Sequence, residues 1–416
     1  MSIQRTVKVS VYAQTDIGRV RQNNEDNFLV ADLTARVYRT AASQDHRSEV
    51  KTECDVGEYG FLAAVSDGMG GALAGEVASH LAVNAVPLWM EKLQQDSQTN
   101  QFPFSEQFRL AVEQTNKLIY KYSQSSPRLV GMGATFTGAA FFQGHLYLAQ
   151  VGDSRAYMVR HGQIIQATKD QSLVEQLVEA GYLTEEQARE HVYRNVILQA
   201  LGAQPDTAVI IDRLTVFRDD ILVLCSDGLS NKIYDHEMLD ILTRSQTLQD
   251  AGRELIELAN QRGGEDNITA VICHFQGEAL PRITSPPSFD LRRIERPEDL
   301  PLELPTIPFN ADELLTEALT TSDHPPEEED SDPEVEPDNG PSPRMEARDD
   351  NPGHPETTLE RHIAHLMIGI LLLIFLGAAW AVAWYLKIRE ESHQERPEFP
   401  ARPIAQQNAF IPLVHL

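Results

Sequence analysis

Cysteine is nearly absent. Three residues in 416, Cys54, Cys225 and Cys273, show no paired spacing, which excludes a disulfide scaffold and a cysteine-bound zinc and fits a reducing compartment. Basic charge is also short. With 35 Lys and Arg against 62 Asp and Glu, the net charge is −27, so the chain lacks the cationic footprint that a nucleic-acid backbone requires, and no nucleic-acid partner is expected. The N-terminal MSIQRTVKVS has no apolar signal-peptide core, so the expectation is that the residues after it stay in the cytoplasm. What is plentiful is apolar residues, 42% of the chain, enough to bury a large core in one or more domains.

The negative charge is uneven. Residues 1–276 carry 35 acids and 24 bases, residues 277–360 carry 23 and 6, and residues 361–416 carry 4 and 5. The middle stretch, rich in proline and poor in apolar side chains, cannot offset its own ordering entropy and is expected to be a disordered acidic linker spanning 277–360. From Leu366 to Leu386 the run LMIGILLLIFLGAAWAVAWYL holds no charge. It is long enough to cross a hydrocarbon core of about 30 Å as one helix, with Trp380, Trp384 and Tyr385 at an interface. The expected organisation is thus a globular domain over 1–276, the linker, a transmembrane helix over 364–387 and a short tail over 388–416. The expected location is the cell membrane, single-pass, with the globular domain cytoplasmic; Lys387 and Arg389 beyond the span weigh against that orientation.

Within 1–276 the apolar period alternates between 2 and 3.6. Val7, Val9, Val11 and Ala13 alternate as a half-buried strand does, and Phe61 to Val65 reads as a buried strand. Val77, Leu81, Ala85 and Leu88, and then Phe108, Val112, Thr115, Ile119 and Tyr122, recur at helical spacing. Strands over 135–142, 145–151, 156–160 and 163–167, with turns at Gln143-Gly144 and His161-Gly162, predict an antiparallel meander, which excludes a doubly wound parallel sheet. Ser172 with Glu175, and Thr184 with Gln187, have capping-box spacing and predict a helical insert over about 170–192. Residues 208–216 and 221–225 predict a further hairpin, 248–259 a helix and 268–275 a closing strand. The class is α+β with antiparallel sheets.

The chemistry lies where apolar strands end in acids. Val65-Ser66-Asp67-Gly68 and Cys225-Ser226-Asp227-Gly228 repeat one design, a buried run delivering a carboxylate to a sheet end, followed by glycine that lets backbone approach closely. Asn24-Glu25-Asp26, Gly152-Asp153-Ser154 and Gly264-Glu265-Asp266-Asn267 add further acids, and no histidine pair at metal spacing accompanies them. A carboxylate-only set selects Mg²⁺ or Mn²⁺ over zinc or copper.

Six segments carry a resemblance: Thr15 to Asp26 with Gly18 and Arg21, Ser66 to Gly71, Gly131 to Thr135, Val151 to Arg155, Ser226 to Leu229, and Gly264 to Thr269. Their content and order resemble bacterial members of the protein phosphatase 2C family of metal-dependent phosphatases, over about residues 5–276. The resemblance implies a four-layer α-β-β-α sandwich of two antiparallel sheets and a metal-dependent phosphatase acting on phosphoserine and phosphothreonine in proteins. It implies two bound Mg²⁺ or Mn²⁺ ions, with a weaker third. Asp67 corresponds to the bridging ligand, Asp227 and Asp266 complete one site, and Glu25 with the Gly68 carbonyl forms the other. Asp153 with Asp227 would hold the third ion, Arg21 would bind phosphate, and Asp26 would orient water. Met69 stands where many eukaryotic relatives carry a histidine, which leaves the leaving-group acid unassigned, while Gln171 and Gln199 replace a histidine and an arginine frequent in the family and border the helical insert, where they bear on substrate preference and the third ion. Phosphorylated proteins, among them a membrane-bound Ser/Thr kinase, are the partners that analogy implies. The alternative is a catalytically silent phosphoprotein-binding module on the same fold, which would not need all six acids together.

Overall fold

The computed structural model describes residues 6–41, 47–283, 288–297 and 310–321, and the features below concern these. The expected span 364–387, the tail 388–416 and most of the acidic linker lie outside them. Among the described residues no helix is long and apolar enough to cross a membrane.

In chain order the first elements are β1 (Lys8–Asp16), β2 (Asp26–Asp32), β3 (Val37–Thr40), β4 (Arg47–Asp55) and β5 (Phe61–Met69). Helices α1 (Ala72–Gln95) and α2 (Phe104–Ser123) follow, then β6 (Gly133–Ala134), β7 (Phe136–Phe142), β8 (His145–Val151), β9 (Arg155–Arg160) and β10 (Gln163–Gln166). The insert contains α3 (Leu173–Glu179) and α4 (Glu185–Arg189), after which come β11 (Ile210–Thr215), β12 (Ile221–Cys225), α5 (Asp227–Ser230), α6 (Asp235–Arg244), α7 (Leu248–Gln261) and β13 (Ile268–Gln276). A two-residue β14 (Arg292–Arg293) and α8 (Ala311–Thr321) end the described chain.

Two antiparallel sheets result. One has the order β10-β9-β12-β13-β1-β4, and the other β14-β11-β8-β7-β5-β2-β3, with β6 paired to β5. The period of two sends alternate side chains into different cores. Val271, Cys273 and Phe275 of β13 meet Val9, Val11 and Ala13 of β1 in the layer between the sheets, together with Phe61, Ala63 and Val65. Leu62 and Ala64 face the opposite way, under Val77, Leu81 and Ala85 of α1 and Phe108 and Val112 of α2. Ile268, Ala270 and Ile272 face Leu255, Ile256 and Ala259 of α7 and Met238 and Ile241 of α6. Three apolar cores therefore separate four layers, α-β-β-α, as expected.

Two expectations need correction. The meander is not continuous: β7 pairs with β8 in one sheet and β9 with β10 in the other, so the chain changes sheet at Gly152-Asp153-Ser154. The second predicted hairpin is likewise split, β11 pairing with β8 while β12 lies between β9 and β13. The closing strand at 268–275 is central in its sheet, flanked by β1 and β12. Period identifies a strand's buried face; it does not say which sheet receives it.

Packing also continues past Gln276, into the region read as linker. Ile294 donates its backbone N–H to Ile211 O (2.8 Å), β14 pairs with β11, and Phe289, Leu291 and Ile294 lie against the cores. Further on, Ala311 is buried beside α1 and α2, and Tyr122 donates to Asp312 Oδ1 at 2.7 Å.

Candidate active site

The sheet ends deliver the acids. Asp26 opens β2 and stands in register with Asp67 on the neighbouring β5, so two adjacent strands bring two carboxylates side by side. Asp227 follows β12 at the first residue of α5, Asp266 precedes β13, and Asp153 sits in the crossover between the sheets. Glu25 is placed through backbone: its N–H donates to Asn267 Oδ1 (2.8 Å), and its carbonyl accepts from Gly68 N (3.1 Å). Glycine is required at position 68, because a Cβ there would stand 2.2 Å from Gly75 O.

Burial and mutual repulsion dominate the electrostatics. Burial raises the Asp67 carboxyl well above its ordinary range, and Asp26, Asp227, Asp153 and Asp266 add to the rise. Asp153 is raised in the same way by burial and by Asp227, against the pull of Arg155. Asp26 is pushed up to about 7 by burial, although Ser226 (2.6 Å) and Thr269 (2.7 Å) both donate to its Oδ2. Burial also carries Glu25 to about 7, with Arg21 opposing, and Asp227 to about 6.

These groups fit divalent cations in a specific way. Asp26 Oδ1, Asp153 Oδ1 and Asp227 Oδ1 are buried with no hydrogen-bond partner, and buried acceptors of this kind are costly unless something binds them. All the candidate donors are carboxylate or carbonyl oxygens, the set hard cations select. Among the described residues no three His, Cys, Asp or Glu side chains already close around one point. Asp67, Asp227, Asp153, Asp26 and Asp266 influence one another directly, whereas Glu25 stands on the Arg21 and Asp266 side.

Arg21 is at the rim, half-exposed, its Nη2 donating to Asp266 Oδ2 at 2.9 Å. The loop that carries it, residues 17–24, is fastened by Asn267, whose Nδ2 donates to Ile17 O and Asn23 O at 3.0 Å each. That role went unread in the sequence, although Asn267 stands inside a quoted motif. Two further residues, Arg155 at the end of a quoted motif and Asp170, were given no role. Arg155 donates to both carboxylate oxygens of Asp170 (Nε at 3.0 Å to each, Nη2 at 2.7 Å to Oδ2), forming a nearly buried pair beside Asp153. Their chemistry is ordinary, and only the crossover between sheets makes them neighbours of the site. Gln171, noted as a departure from the family, fixes that crossover by accepting from Gly152 N at 2.8 Å and by donating to Ala208 O at 3.3 Å.

Buried carboxylates converging at the ends of two packed sheets, with an arginine at the rim, make an acid-rich centre suited to hard cations. The family profile described as Protein phosphatase 2C matches residues 34–272, and the chain belongs to that family of phosphatases. It is similar to the serine/threonine phosphatase stp of Listeria monocytogenes, 34% identical over 264 residues that span 62% of this chain and 93% of the relative. Its fold is similar to that of the S. agalactiae serine/threonine phosphatase, with TM-score 0.54 and 32% identity over 64% of this chain and 98% of that one. It is also similar to the catalytic domain of the serine threonine protein phosphatase PstP solved with two manganese ions, with TM-score 0.50 and 31% identity over 65% of this chain and all of that one.

Proposed function

We propose that this chain hydrolyses phosphoserine and phosphothreonine in proteins, using Mg²⁺ or Mn²⁺ held by Asp67, Asp227, Asp266, Glu25 and the Gly68 carbonyl, with Asp153 and Asp227 offering a weaker third position. The observation that carries this reading is the set of orphaned, buried Oδ1 atoms on Asp26, Asp153 and Asp227, which lie in one cluster with Asp67. Bound there, divalent cations supply a water of lowered pKa and counter-charge for the phosphoryl oxygens. The chain's own groups do the rest. Arg21 presents a fork of donors suited to two nonbridging phosphoryl oxygens, a geometry lysine cannot reproduce. Asp26, gripped by Ser226 and Thr269, keeps one carboxylate oxygen free to accept from a water or hold a proton. The test is phosphate release from a phosphothreonine peptide with Mn²⁺, Mg²⁺ or a chelator: release with either cation and none with chelator is expected, and release unaffected by chelator contradicts the reading.

The tether is part of the same proposal. The uncharged run from Leu366 to Leu386 would hold the phosphatase at a membrane, its linker and catalytic domain on the cytoplasmic side, near phosphorylated proteins that include a membrane-bound Ser/Thr kinase. Cysteine labelling with an impermeant reagent on intact cells tests the orientation, at position 410 against a position in the linker. Labelling of the tail and not the linker is expected, and the reverse would contradict it.

A further inference from the structure

The acid cluster opens onto a cavity of about 610 Å³. That size lies within the ~300–1,000 Å³ of ordinary binding cavities. Asp153 and Asp227 form part of its wall, so the space is continuous with the catalytic acids. The helical insert contributes Val174 and Val178 of α3, and Leu291 and Arg293 come from the strap 288–297 that follows the family-matched region. The strap is a built wall. Buried Arg160, paired through two hydrogen bonds with Asp220 (2.9 and 2.7 Å), donates from Nη1 to Ser288 O at 2.6 Å. Buried Arg109, paired with Glu106 (3.1 Å), donates to Ile294 O at 2.7 Å. Arg293 itself donates to both oxygens of Asp212 (2.8 and 3.2 Å) while staying half-exposed.

We propose that this cavity binds the polypeptide flanking the phosphorylated residue, and that Leu291 and Arg293 of the strap select among substrates. The inference rests on the phosphatase reading above. The wall combines the apolar side chains Val174, Val178, Ala188 and Leu291 with the ion pairs Arg155–Asp170, Lys169–Glu175 and Arg293–Asp212 and with further charges of both signs, Arg189, Arg194, Glu185 and Asp235, a mixture that suits the backbone and varied side chains of a peptide. Elsewhere on the insert, Tyr182 is 77% and Val192 84% exposed.

The full chain with Mn²⁺ is assayed on two kinds of substrate, phosphothreonine peptides of different flanking sequence and p-nitrophenyl phosphate, which is too small to reach the strap. Arg293→Ala and Leu291→Ser are compared with the unaltered chain; the latter leaves the Arg293–Asp212 pair in place should the former fold poorly. Expected is a change of about fivefold or more in kcat/KM for the peptides, carried by KM and dependent on the flank, with p-nitrophenyl phosphate hydrolysis unchanged within about twofold. Parallel changes on both substrates, or no change on either, overturn the proposal. An unaltered chain that hydrolyses p-nitrophenyl phosphate but no peptide also overturns it, whereas one that hydrolyses neither removes the phosphatase reading itself.

Discussion

Asn267 holds Glu25 by its backbone: the Asn267 Oδ1 accepts from Glu25 N at 2.8 Å while its Nδ2 spans the carbonyls of Ile17 and Asn23. One buried amide thus ties the two ends of the Arg21 loop to the residue next to Asp266. Asn267→Ala leaves several buried groups unpaired and is expected to cost about 1–3 kcal/mol of stability. It should also lower kcat at least tenfold, because Arg21 and Glu25 lose their common support. Thermal unfolding and peptide hydrolysis measure the two effects, and unchanged kcat would contradict the positioning role.

Arg21 touches Asp266 but is a rim residue, half-exposed. Arg21→Ala is expected to lower kcat/KM for phosphopeptides by about 2 kcal/mol or more in transition-state terms. Mn²⁺ affinity, followed by calorimetry, should change little. Loss of Mn²⁺ binding would assign Arg21 to the structure of the site rather than to the phosphoryl group.

Burial raises Glu25 and Asp26 to about 7 and Asp227 to about 6 in the cation-free chain. In the unfolded chain these carboxyls titrate near 4. Between about pH 4 and pH 7 the folded state therefore binds more protons than the unfolded one, so stability falls as pH rises through this window and levels above it. With chelator present, Tm should be lower at about pH 8 than at about pH 5. Asp26→Asn should flatten part of that fall, and Mn²⁺ added at the higher pH should raise Tm by binding only the folded state. The same slope with and without Asp26 would contradict this origin.

The strap contributes to stability. A chain ending at Gly277 loses the carbonyls of Ser288 and Ile294 that accept from buried Arg160 and Arg109. Compared with a chain ending at Thr321 it should fold with a Tm lower by about 4 °C or more. Equal Tm values would mean the strap only rests on the surface.

The layers were legible because alternating apolar residues such as Val9, Val11 and Ala13 mark a face unambiguously. The acids were legible because each follows or precedes a buried run at a sheet end. What escaped was connectivity between sheets at 152–154 and 216–221, since both halves of each false hairpin have the correct period. The strap escaped for another reason. Phe289, Leu291 and Ile294 are sparse among charges and prolines, and the strap is held through its carbonyls by arginines far away in sequence, which no local pattern records. The pairing of Arg155 with Asp170 stayed hidden likewise, because only the folded crossover sets it beside Asp153.

Asp67 is the acid on which the others converge, in register with Asp26 and raised by the charges of Asp26, Asp227, Asp153 and Asp266. The most direct measurement is therefore steady-state hydrolysis of a phosphothreonine peptide by the unaltered chain and by Asp67→Asn across a Mn²⁺ titration. The account predicts Mn²⁺-dependent turnover that falls by a factor on the order of 10³ or more in Asp67→Asn and is not restored by excess Mn²⁺. Near-normal turnover by Asp67→Asn, or turnover that needs no divalent cation, would contradict it.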